Sequence, residues 1–311
     1  MTRIRCLLGG LCALVLVWNQ EAMASPDVVV SIKPLHSLIS AVMKDVSHPH
    51  LLIQGVETPH SFALKPSKAR FLQDADAVFW VGRDLEGFLA KPLETLPRQA
   101  KIITFSKELK LLPYRRTKIW AAKGDADRHE KHDHGHGKTD PHFWLDPVLV
   151  QSVVSIVVRT LSEIDGGNAT LYQRNGDALL DRLIALHLRT EAKLKTIRAV
   201  PYLVFHDAYQ YLEKRYRLNS IGTVTLNPEY RPGAKHLDAV RRRAEQRDVR
   251  CIFREPQFHP SMLNVVVADT AMRVAVLDPL GASLEPGPDA YFEILDQLSN
   301  SLSACLAENT G

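Results

Sequence analysis

Two runs of short apolar segments alternating with amphipathic ones, on either side of one long proline-free stretch, constrain this chain more than any other feature. In the first run, residues 28–32, 51–53, 77–81 and 102–105 read as strands, and 35–46 and 67–75 read as helices. In the second, the strands fall at 202–205, 220–225, 251–253 and 274–277, with helices at 206–216, 234–246 and 289–306. Strands that alternate with helices favour parallel sheets, because a parallel pair needs a crossover that a helix supplies. The expectation is an α/β fold of two similar lobes with parallel sheets, joined by one long rigid helix.

That helix is expected within 166–199, where Leu179, Leu183 and Leu186 recur at helical spacing. Thr190 interrupts the stripe for one turn, and Leu194 and Ile197 resume it. A single stiff connector restricts hinge bending more than several flexible crossovers would. The expected division is a leader at 1–24, an N-terminal lobe at 25–168, a linking helix at 169–198 and a C-terminal lobe at 199–311.

The leader departs from this pattern. Arg3 and Arg5 precede an apolar run at 6–18, and Ala22 and Ala24 supply small residues before Ser25. This is the layout of a signal peptide cleaved after Ala24. A membrane anchor is the competing reading, but the run falls well short of the ~20 residues that span a bilayer. The formal net charge of +4 is small and its basic residues are dispersed, so neither nucleic acid nor an anionic membrane is an expected partner.

Export leaves two cysteines, Cys251 and Cys305, in a compartment where disulfides persist, and a bridge between them is expected. The chain-entropy model gives such a bridge roughly 4 kcal/mol. Two free thiols acting as metal ligands are the alternative, although neither belongs to a close CxxC pair.

Open α/β sheets bind ligands beyond the carboxyl ends of their strands. His60 lies in a short loop after the second strand, His206 and Asp278 directly follow strands, and His142 in DPHFWLDP precedes a helix expected near Pro147. Each histidine taken singly could be a capping, surface or backbone-bonded residue. Together, three neutral imidazoles and a carboxylate form a borderline N/O set that suits zinc. With an ordinary histidine pKa of about 6.5, such ligands are mostly neutral near pH 7 and release few protons on binding. Asp140, Asp146 and Asp207 are close enough in sequence to hydrogen-bond the other ring nitrogens.

A polar loop at 121–139 carries His129, His132, His134 and His136 among Asp127, Glu130 and Asp133. It cannot feed a core, and it reads either as an auxiliary metal trap or as a solvated loop that happens to be rich in histidine.

These motifs resemble the ZnuA family, the periplasmic zinc-binding components of ABC importers, within the metal-binding group called cluster A-I. The similarity runs through VVVSIKPLHSLISAV, TPHSFALKPS, DADAVFWVGRDLEGFL, the His-rich loop, DPHFWLDP, FHDAYQYLEKRY, NPEYRPGAKHL, FREPQF and LDPLG. The resemblance implies Zn2+ held between two lobes by His60, His142 and His206, a Cys251–Cys305 disulfide, a periplasmic location, and an inner-membrane ABC permease with its ATPase as partner. It leaves the fourth ligand open among water, Glu57 and Asp278. Manganese-binding relatives tend to carry Glu where this chain has His206, so the third imidazole favours zinc.

A monomer with no catalytic activity is therefore expected. The competing readings are a manganese or iron importer component of the same fold and a zinc hydrolase. Three histidines and a water also build a catalytic zinc site, but no HExxH helix is present.

Overall fold

The computed structural model describes residues 25–97, 99–115, 139–225, 232–259 and 263–307. Residues 1–24, expected as a leader, and the four histidines within 121–139 lie outside the described residues. Among the described residues, no helix is long and apolar enough to cross a membrane.

Each half of the chain forms a four-stranded, all-parallel sheet. The first contains β1 (Val28–Val30), β2 (His50–Leu51), β3 (Ala77–Trp80) and β4 (Lys101–Thr104), in the order β2-β1-β3-β4. The second contains β5 (Tyr202–His206), β6 (Ser220–Thr225), β7 (Cys251–Arg254) and β8 (Arg273–Val276), in the equivalent order β6-β5-β7-β8. In both sheets the chain reverses its direction of travel across the sheet between the two central strands. Such a switch point opens a crevice at the strand carboxyl ends, where loops leave on opposite faces.

The inner strands β1, β3, β5 and β7 are short and apolar because they are covered on both faces. β1 and β3 are buried along their whole length. In β5 the alternation decides direction: Leu203 and Phe205 join a smaller core with Val224, Leu237, Val240 and Ile252, whereas Tyr202 and Val204 join the main core shared by both lobes. His206 falls in register with Tyr202 and Val204, on the side of the first lobe.

The connecting helix runs from Ala169 to Leu194, flanked by 3-10 turns at Gly166–Asn168 and Lys195–Ile197. It buries Tyr172, Gly176, Leu179, Leu183, Leu186, Thr190 and Leu194. Thr190, read as an interruption, is buried like its neighbours and continues the stripe. A Cβ on Gly176 would lie 2.5 Å from Val158 Cγ2, so glycine here lets the linker approach the Val150–Ile164 helix closely.

Two helix starts differ from expectation. His206 ends β5, and the following helix begins only at Gln210. After His142 the chain makes a 3-10 turn at Phe143–Leu145, and the helix starts at Val150. The reason is Asp146, whose Oδ1 accepts the backbone N–H of Val148 at 2.9 Å and of Leu149 at 3.3 Å, stabilising an extra turn first. Cys251 and Cys305 form a disulfide that ties the start of β7 to the end of the Ala290–Leu306 helix.

The lobes are also bonded directly to each other. Tyr211 Oη donates to the carbonyl of Asp140 at 2.9 Å and accepts the N–H of Leu112 at 2.8 Å. Arg215 pairs with both oxygens of Asp146 at 2.8 and 2.7 Å, and Tyr291 Oη donates to the carbonyl of Trp144 at 2.8 Å. These bonds, with a continuous apolar core, oppose wide hinge opening.

Candidate metal centre

His60, His142 and His206 each offer a ring nitrogen, and the three nitrogens lie within 4.8 Å of one another. Among the described residues they are the one group of three or more His, Cys, Asp or Glu side chains so placed. A tetrahedral zinc ion with Zn–N near 2.0–2.1 Å sets its ligand nitrogens roughly 3.4 Å apart. His60 comes from the loop after β2, His142 from the residue before the 3-10 turn, and His206 from the end of β5 at the second switch point.

His142 and His206 are buried, and His60 is partly exposed, so the way in passes His60. The rings pack edge-on or tilted, with centroids 5.2 Å apart for His60–His206 and His142–His206 and 5.9 Å for His60–His142. Around them a small cavity is walled by Leu85, Trp144, Glu255, Phe258, Pro279 and Leu280, from both lobes.

Two carboxylates orient the buried rings. Asp140 Oδ1 lies 2.7 Å from His142 Nδ1, which directs the His142 Nε2 lone pair elsewhere. Glu255 is buried and lies 3.3 Å from His206 Nδ1. Burial disfavours a charged His206, but Glu255, followed by Asp207 and Asp140, outweighs it and holds its pKa above the ordinary histidine value. His206 therefore binds a proton more readily than a free imidazole does.

Of the three aspartates expected beside the rings, only Asp140 is there. Asp146 caps its turn and pairs with Arg215, while Asp207 pairs with Arg115, which also reaches Glu213 at 2.5 Å. Glu255 was missed, although it follows β7 just as His206 closes β5, and the switch-point rule applied to FREPQF would have found it. Glu57 and Asp278 are outside the histidine group. Glu57 pairs with Lys65 at 2.9 Å, and Asp278 follows the edge strand β8, where it accepts backbone N–H groups from Leu280, Gly281 and Ala282.

Residues 28–305 match the family described as zinc-uptake complex component A, periplasmic. The chain belongs to the ZnuA family. Curated ZnuA relatives described as high-affinity zinc uptake system proteins include one from Brucella suis biovar 1 (strain 1330), 38% identical over 97% of this chain and 96% of its own length. Another, from Yersinia pestis, is 32% identical over 95% of this chain and 96% of its own length. A crystal structure of ZnuA superposes with a TM-score of 0.77 at 24% identity, covering 91% of this chain and 100% of the other. At that identity the ZnuA superposition speaks for the fold, two parallel sheets bridged by a long helix.

Proposed function

We propose that this chain is the periplasmic zinc-binding component of a zinc uptake system, and that it captures one Zn2+ through His60, His142 and His206. The carrying observation is the all-imidazole group, in which three ring nitrogens come within 4.8 Å and no carboxylate is included. Such a set favours zinc over manganese, which suits oxygen-rich sites. The zinc uptake role of the curated relatives, covering nearly all of this chain, supports the same cargo.

Water fills the fourth position in this reading. Glu57 is engaged by Lys65, and Asp278 spends its oxygens on three backbone N–H groups and Gln257. Export follows from the 1–24 leader with cleavage after Ala24, and the mature monomer, with lobes at 25–168 and 199–311 around the 169–198 linker, hands its ion to an inner-membrane ABC permease driven by its ATPase. The loop histidines His129, His132, His134 and His136 add weaker zinc capacity. No reaction is catalysed.

The experiment is a zinc titration of the mature chain against a competing chelator. One tight equivalent is expected, with weaker ones that vanish when 121–139 is deleted. A tight equivalent that survives His60→Ala with His142→Ala would overturn the ligand assignment. Generic ester turnover by zinc-loaded protein, abolished by His206→Ala, would instead support the hydrolase reading.

A further inference from the structure

Lys33 opens the first helix of the N-terminal lobe, yet its side chain ends in the C-terminal lobe. It is only 4% exposed, and Nζ donates to the carbonyls of Gly281, of Leu284 at 2.5 Å and, more distantly, of Ala282 at 3.4 Å. Burying an ammonium is costly unless its three donors are matched, and three carbonyls match them here. Burial lowers the Lys33 pKa, with Asp278 and Glu285 acting in the opposite direction.

The same short stretch of backbone is held from its own lobe by Asp278. Its carboxylate accepts the N–H of Leu280 at 3.1 Å, of Gly281 at 3.0 Å and of Ala282 at 2.5 Å. Within residues 280–284, three N–H groups thus rest on a carboxylate from one lobe and three carbonyls on an ammonium from the other. Gly281 adopts φ +64, and a Cβ there would lie 2.7 Å from Ile294 Cγ1, so the stretch is also pressed against the Ala290–Leu306 helix.

This stretch walls the metal cavity. Pro279 and Leu280 line it beside the three histidines, and the Pro279 carbonyl accepts Trp144 Nε1 at 2.9 Å. The Trp144 ring in turn lies 5.2 Å from that of His142. A shift of the wall would therefore reach the buried ligands without breaking any bond they make.

We propose that Lys33 is a positioning residue for metal retention: its grip on the carbonyls of Gly281 and Leu284 holds the Pro279–Leu280 wall against the three histidines, and loosening that grip opens the cavity for the ion to leave. This rests on the zinc reading of the histidines. Lys33 supplies no ligand atom, so its loss changes how long the ion stays and not which atoms hold it.

The test uses the full mature chain and Lys33→Met, which keeps most of the side-chain length and removes the donors. Zinc-loaded Lys33→Met should lose its ion to excess chelator at least about tenfold faster than the wild type, a loss of ~1.4 kcal/mol. Its cobalt-substituted visible spectrum should match the wild type, since the donor set is intact. Lys33→Arg, which keeps charge and donors, should slow release back toward the wild-type rate. Equal release from wild type and Lys33→Met, a changed cobalt spectrum, or an arginine variant as fast as methionine would overturn the proposal. Hydrogen exchange of the metal-free wild type decides the matter if Lys33→Met does not fold. The Lys33 ammonium protons, held by the carbonyls of Gly281 and Leu284, should exchange slowly enough to be seen by NMR, and rapid exchange there sinks the idea. That measurement needs no zinc, whereas failure of the zinc reading itself shows as a wild type that retains no ion.

Discussion

Asp140 holds His142 at two points: its Oδ1 lies 2.7 Å from the ring Nδ1 and accepts the His142 backbone N–H at 3.0 Å. Ring orientation and backbone turn are thereby set by one buried carboxylate. Asp140→Asn keeps the shape but weakens both interactions, and zinc affinity measured by chelator competition should fall about 10- to 100-fold. Unchanged affinity would show that Asp140 does not orient a ligand.

His206 and Glu255 make a pH prediction. The His206 pKa is raised in the folded state, so in metal-free protein the protonated pair adds stability below pH ~6.5, and that contribution is lost as pH rises through the raised value. Zinc binding runs the other way, because the proton must leave first. NMR titration of the metal-free protein should place His206 above the ordinary 6.5, and Glu255→Gln should bring it down as burial becomes dominant. A His206 pKa unmoved by Glu255→Gln would refute the coupling.

Glu86 is fully buried beside the first switch point, with Oε2 accepting the N–H of Gly82 at 3.0 Å, and burial pushes its pKa up to about 7. An acid raised in the folded state binds more protons there than when unfolded, so stability falls as pH rises from ~4.5 to about 7. Glu86→Gln should remove that slope and stabilise the metal-free protein at pH 8 by ~3 kcal/mol. Denaturant melts at pH 5 and pH 8 check it; parallel pH dependence in both proteins would contradict the assignment.

The Cys251–Cys305 bridge joins the amino end of β7, an inner strand of the second sheet, to the last helix. Replacing both cysteines by alanine should cost about 2–5 kcal/mol in denaturant melts. Zinc stoichiometry should persist where the variant remains folded, because the bridge lies at the amino end of β7 and Glu255 follows its carboxyl end.

Local chemistry determined much of this protein before any contact was known. Apolar runs of strand length separated by helical patterns specify two parallel sheets, and the spacing of Leu179, Leu183 and Leu186 specifies the linker, because backbone periodicity is a property of a few consecutive residues. The place of His206 was legible for the same reason, since the carboxyl end of a strand can be read from the strand, whereas His142 follows no strand and lies beside a 3-10 turn. Partner choice is not local. Asp207 stands next to His206 in the chain but pairs with Arg115, while Glu255, 49 residues away, takes the His206 ring. Lys33 reaches carbonyls 248 and 251 residues further on. Hydrogen bonds require approach within about 3 Å, and only the packing of the two lobes decides which charges meet at that distance.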